Sequence, residues 1–145
     1  MTAPEPEGAP GRTRPRPSER MAGAEQLVDV RAALAALRAE SHPATRGHRQ
    51  ITLAHREGLR VVLLDFEPGA GLPRHTAPAP AAIHGVEGAV VLHTPSATHR
   101  VAAGQVLVLD ADVPHDVVAE EGAAAILVVL AMPPAVNAGA APPAG

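Results

Sequence analysis

The sequence predicts an all-β domain, an antiparallel sandwich or barrel with one helix ahead of it. Three observations carry that expectation. Short runs of β-forming residues recur at near-regular spacing between residues 49 and 131. Gly, Pro and acidic turn residues separate them. Ahead of them, around residues 27–39, the apolar residues repeat at the helical period instead. No longer internal repeat is visible, and there is neither a Gly-rich phosphate loop nor a Gly-x-Ser-x-Gly elbow.

The elements follow in order. Leu27, Val30, Leu34 and Leu37 are spaced by three and four, and Asp29 can cap the helix they define. Ser41-His42-Pro43 ends it, because the residue before a proline avoids the helical region. Such a stripe packs on its own domain more often than it serves a partner. Residues 49–56 alternate, with Ile51 and Leu53 on one face, and Glu57-Gly58 turns the chain. Residues 59–66 are almost continuously apolar until Glu67-Pro68-Gly69 breaks the run. Residues 81–86 lead through Glu87-Gly88 into 89–93, a hairpin signal. Thr94-Pro95-Ser96 turns into 97–102, and Ala103-Gly104 into 105–110. Val113-Pro114 precedes 115–119, and Glu121-Gly122 precedes 123–131.

Composition sets the limits. A chain of 145 residues suits one domain. Residues 1–22 and 133–145 read as disordered tails rich in Pro, Ala and Gly, leaving residues 24–132 as the domain. Met21 opens a more ordinary sequence, which leaves open whether residues 1–20 belong to the native protein. A net charge of -3 gives no electrostatic case for nucleic acid. There is no Cys, so thiolate metal sites and cysteine nucleophiles are excluded. All 12 basic residues are Arg, which excludes Schiff-base chemistry. Phe66 is the one aromatic residue, so stacking sites for flavins, bases or sugars are not expected. The chain lacks the apolar run of a spanning helix and the pattern of a signal peptide, and the expectation is a cytoplasmic protein without a membrane partner. Chemistry is left to eight His, the carboxylates, Arg and a few hydroxyls.

Two stretches, FEPGAGLPRHTAPAPAAIHGVEGAVVLH and THRVAAGQVLVLDADVPHDVVAEE, resemble the two motifs of the cupin superfamily. Gly69, His75 and Gly88 fit the first motif; Gly104 and His115 fit the second. The nearest likeness is to small stand-alone, RmlC-like cupins. The resemblance implies a jelly-roll barrel of six to eight strands, often a homodimer. It also implies a metal site of two His and one Glu from the first motif and one His from the second. Here the second His position is Ala77 and the Glu position is Ala81. His75 and His115 remain, and two imidazoles hold a divalent ion weakly compared with three or four donors. His84 is the obvious substitute metal ligand. Strand alternation puts residues 81, 83 and 85 on one face and His84 on the other, so only a β-bulge would turn it inward.

The remaining candidates carry less. His93 and His99 flank a turn and are expected as cross-strand neighbours on an exposed hairpin. Asp110, Asp112 and Asp116 crowd His115 in sequence, and turn formation accounts for the first two. Arg74 and Arg60 are candidates for the barrel mouth. Arg74, beside His75, is the better ligand contact; Arg60 reads as a solvated face. The expected ligand-binding set is therefore His75, His115, Arg74, Ala77, Ala81 and Ile83, with His75, His115 and His84 for any metal. The leading expectation is a barrel that binds a small-molecule ligand without a cofactor. A metal-dependent isomerase or oxygenase with a divalent ion and a scaffold or regulatory protein are the alternatives.

Overall fold

The structure is a computed structural model that describes residues 23–120, 122 and 124–132. The expectations for the two tails fall largely on residues 1–22 and 133–145 and lie outside the described residues. Among the described residues one helix, α1 (Val30–Arg38), precedes nine strands. They are β1 (His48–Arg56), β2 (Leu59–Phe66), β3 (Gly71–His75), β4 (Ala81–Glu87) and β5 (Ala89–His93). Then come β6 (Thr98–Ala102), β7 (Val106–Leu109), β8 (His115–Ala119) and β9 (Ala124–Ala131). Two sheets form, β1-β2-β9-β4-β7 and β3-β8-β5-β6, and every pairing is antiparallel. This is a jelly-roll barrel, with strands exchanged between the sheets rather than simply stacked in order.

The helix closes the outer face of the five-stranded sheet. Asp29 accepts a hydrogen bond from the Ala32 amide at 3.0 Å and so caps the first turn. Leu34 and Leu37 bury against Leu53, Leu63 and Ala125. Arg38, in the last turn, pairs with Asp65 at 2.9 Å and with Glu87 at 2.6 Å. The helix is shorter than its apolar pattern, because Leu27 lies before the cap and is 99% exposed.

Between the sheets lies the main core. Phe66, Leu92, Val90 and Ile126 are its largest fully buried members. Two glycines let backbones touch. A Cβ on Gly71 would collide with the Val117 carbonyl oxygen, and one on Gly85 with that of Ala102.

The sequence reading omitted β3. The strand is short, holds Pro73, and sits at the edge of the four-stranded sheet, where a missing amide donor is tolerated. Its pairing with β8 also carries one extra residue between Leu72 and His75. That bulge lets Leu72 and His75, three apart in sequence, both face inward.

Candidate functional site

β3 and β8 bring the two motif histidines together. His75 and His115 are directly opposed across the two strands. Their ring centroids are 4.3 Å apart, with the planes tilted by 60°. His115 lies on an interior strand and is 6% exposed, while His75 lies on the edge strand and is exposed.

The same local device orients both rings. His75 Nδ1 donates to the carbonyl of Pro73 at 2.8 Å, and His115 Nδ1 donates to the carbonyl of Val113 at 2.9 Å. A carbonyl can only accept, so the proton on each neutral ring resides at Nδ1. The far-edge Nε2 of each ring is then a lone-pair acceptor. Two acceptors cannot satisfy one another; each calls for a donor of its own.

Both rings open onto a cavity of about 440 Å³ within the barrel. Its walls are mainly apolar: Val62 and Leu64 from β2, Ile83 from β4, Val117 from β8, and Ile126 and Val128 from β9. Ala77 and Ala81 line it as well, at the positions where further donors would stand. Among the described residues no carboxylate lines the cavity. A few polar groups converging on an apolar pocket of this size are the usual anatomy of a small-molecule site.

Five residues singled out in the sequence thus share one cavity: His75, Ala77, Ala81, Ile83 and His115. Two do not join them. Arg74 precedes His75 on β3, so its side chain takes the opposite face. It lies close enough to Asp116 to help hold that carboxyl below its usual range, an effect due first to the hydrogen bond from His93. His84 also faces away from the cavity. Ala81 and Ile83 point inward by strict alternation, and the bulge in β4 falls between Gly85 and Glu87, beyond His84. The bulge required to turn His84 inward is therefore one step too late.

The surface histidines need a further correction. On the β5–β6 hairpin His93 pairs with Thr98 and His99 with Leu92. A register offset of one residue sends the two imidazoles to opposite faces. His93 instead donates from Nδ1 to Asp116 at 2.6 Å.

Arg60 is the site residue that sequence reasoning undervalued. It lines the cavity from β2, half-buried, and donates to the Thr52 hydroxyl at 3.1 Å. It stands on the same rung as Leu130 and Ala81. The signal was present: on β2, residues 60, 62 and 64 share one face. It was masked because β2 is apolar on both faces.

Fold and site together define the class: a jelly-roll barrel with a ligand-sized cavity and a histidine pair at its wall. The cupin domain family model matches residues 62–131, which include both histidines and most of the cavity wall. This match and the similar solved structures support a small cupin-superfamily protein. Among solved structures the chain is similar to a conserved protein of unknown function from Streptococcus pyogenes. The two share 25% identity over 80% of this chain and 94% of that chain, with a TM-score of 0.60. It is also similar to KdgF from Halomonas sp., at 21% identity over 63% of this chain and 86% of that chain, with a TM-score of 0.56. An RmlC-like cupin from Shewanella frigidimarina matches at 20% identity over 63% and 79% of the two chains, with a TM-score of 0.57. Among curated proteins nothing matches the chain.

Cupins often bind a metal ion, and the donor set here can be tested against one. Catalytic metal sites hold the ion with about three protein ligands and keep one position open. His75 and His115 offer two, and no cluster of three or more His, Cys, Asp or Glu suited to a metal occurs among the described residues. The small apolar Ala77 and Ala81 can supply no donor. The residues present do not fit a resident ion of that kind.

Proposed function

We propose that this protein is a small-molecule-binding cupin that holds its ligand in the barrel through His75 and His115, without a complete metal site. The observation that carries the reading is the orientation of the pair. Both Nδ1 atoms are committed to backbone carbonyls, and both rings line one apolar-walled cavity. Ala77, Ala81 and Ile83 form the surface against which an apolar portion of the ligand packs. Arg74 is removed from the proposed ligand contacts, and His84 from the proposed metal ligands.

The two other readings have less support. A metal-dependent isomerase or oxygenase would need donors where Ala77 and Ala81 stand. A scaffold that works through its helix would need a free apolar face on α1, whereas Leu34 and Leu37 are already buried on its own sheet.

Elemental analysis of protein purified without an affinity tag tests the reading. Metal well below stoichiometric is expected, and the double variant Ala77→His, Ala81→Glu is expected to gain calorimetrically measurable affinity for a divalent ion. Stoichiometric metal in the unmodified protein would overturn the reading and favour the metal enzyme.

A further inference from the structure

Among the polar groups that line the cavity, with Gln50 and Thr76 beside them, two of opposite hydrogen-bonding character stand on facing sheets. The histidine pair comes from the four-stranded sheet and presents two acceptors. Arg60 comes from the five-stranded sheet and presents a cation with five N–H donors. One of these donors meets the neutral Thr52 hydroxyl. Among the described residues no carboxylate pairs with Arg60, and none lines the cavity. A half-buried guanidinium beside apolar walls, with a neutral partner only, is matched by an anion that brings its own charge. A planar carboxylate fits the guanidinium fork in two parallel bonds.

The histidine end has the complementary demand. Each neutral acceptor requires a donor, and a hydroxyl supplies one, enough for a single Nε2, without carrying charge into the cavity. An ammonium would also donate, yet no protein carboxylate there offsets its desolvation. Between the two anchors the walls are Val62, Ile83 and Val128, which suit an aliphatic chain.

We propose that the ligand is a short aliphatic hydroxy acid, its carboxylate on Arg60 and its hydroxyl donating to Nε2 of His75. The proposal rests on the cavity being the binding site and goes beyond it by fixing the class and direction of the ligand. Register sets the frame for its length. Arg60 and Ala81 occupy one rung two strands apart, about 10 Å between their backbones at the usual strand spacing.

Calorimetry with full-length protein and terminally hydroxylated butanoate, hexanoate and octanoate tests this. The matching plain acids, diols and terminal amino acids serve as controls. At the best chain length the hydroxy acid is expected to bind about tenfold or more tightly than either the plain acid or the diol. Arg60→Gln should lose about that factor for the hydroxy acid and leave the diol unchanged. His75→Ala, on an exposed edge position, should bring the hydroxy acid down to the level of the plain acid. Equal binding of acid and diol, unmoved by Arg60→Gln, would overturn the two-anchor proposal while leaving the cavity as a binding site. Tighter binding of the amino acid would overturn the hydroxyl assignment. Failure of every probe at millimolar concentration, with the variants folded by circular dichroism, would overturn this proposal and the cavity reading together.

Discussion

The two faces of the five-stranded sheet are built from neighbouring residues and treated in opposite ways. On the outer face, Leu63 and Ala125 are completely buried beneath Leu34 and Leu37 of the helix. On the inner face, Arg60, Val62, Ile83 and Val128 border a cavity of about 440 Å³. The strands are the same, and alternation assigns each residue to a side; along β2 the inner side borders the cavity at Arg60 and is filled by Phe66 at the other end. Apolar composition therefore does not distinguish a packed core from a cavity wall here. What distinguishes them is whether a large side chain arrives from the opposite element. The helix brings two leucines to the outer face. The loop after β3 brings Ala77 and Ala79 to the inner one.

The same substitution on the two faces puts this contrast to the test. Ala125→Val places two methyl carbons into the filled face, where Ala125 is 0% exposed, and overpacking of that kind costs about 1–3 kcal/mol. Ala81→Val places them into the cavity on a strand that favours valine. There the change in stability should stay below about 1 kcal/mol, while ligand binding is lost. Urea unfolding of both variants checks the pair. Equal destabilisation would mean that the cavity collapses on itself and the two faces do not differ.

A smaller effect concerns the outer face of the four-stranded sheet, where His93 holds the Asp116 carboxyl below its ordinary range. A carboxyl depressed in the folded state adds stability above its unfolded pKa. That stability is lost as pH falls through the folded value. At a solvent-exposed pair the contribution is slight. His93→Ala is expected to move the Asp116 titration, followed by carbon-detected NMR, back up toward a normal carboxylate. An unmoved titration would assign the shift to Arg74 instead.

The β-rich architecture was legible because its turns are written in Gly, Pro and acidic residues: Glu57-Gly58, Glu87-Gly88 and Ala103-Gly104 each join two strands. β3 was not legible, since Pro73 and a bulge remove both the donor pattern and the alternation that mark a strand. Its omission also explains the preference for Arg74. Once residues 71–75 are a strand, an inward His75 requires an outward Arg74. The positions of His75 and His115 were readable from motif spacing. Their Nδ1 bonds were not, because the carbonyls of Pro73 and Val113 become acceptors only through local backbone geometry. Arg60 was obscured for a different reason. Val61 and Leu63 pack with the helix and Leu59 is apolar too, so β2 lacks the polar outer face that would have revealed its inner one.

The placement of the histidine pair has a kinetic consequence. His115 belongs to β8, which is laddered on both sides by β3 and β5, whereas His75 belongs to β3, which has β8 as its single neighbour. Freeing His75 breaks one short ladder; freeing His115 breaks two. Local opening free energies follow such differences, and edge segments exchange their amide hydrogens well before interior ones. The jaws of this clasp are therefore unequal. One is held in the barrel wall by two ladders and the other at its rim by a single ladder, so the rim strand is expected to open first.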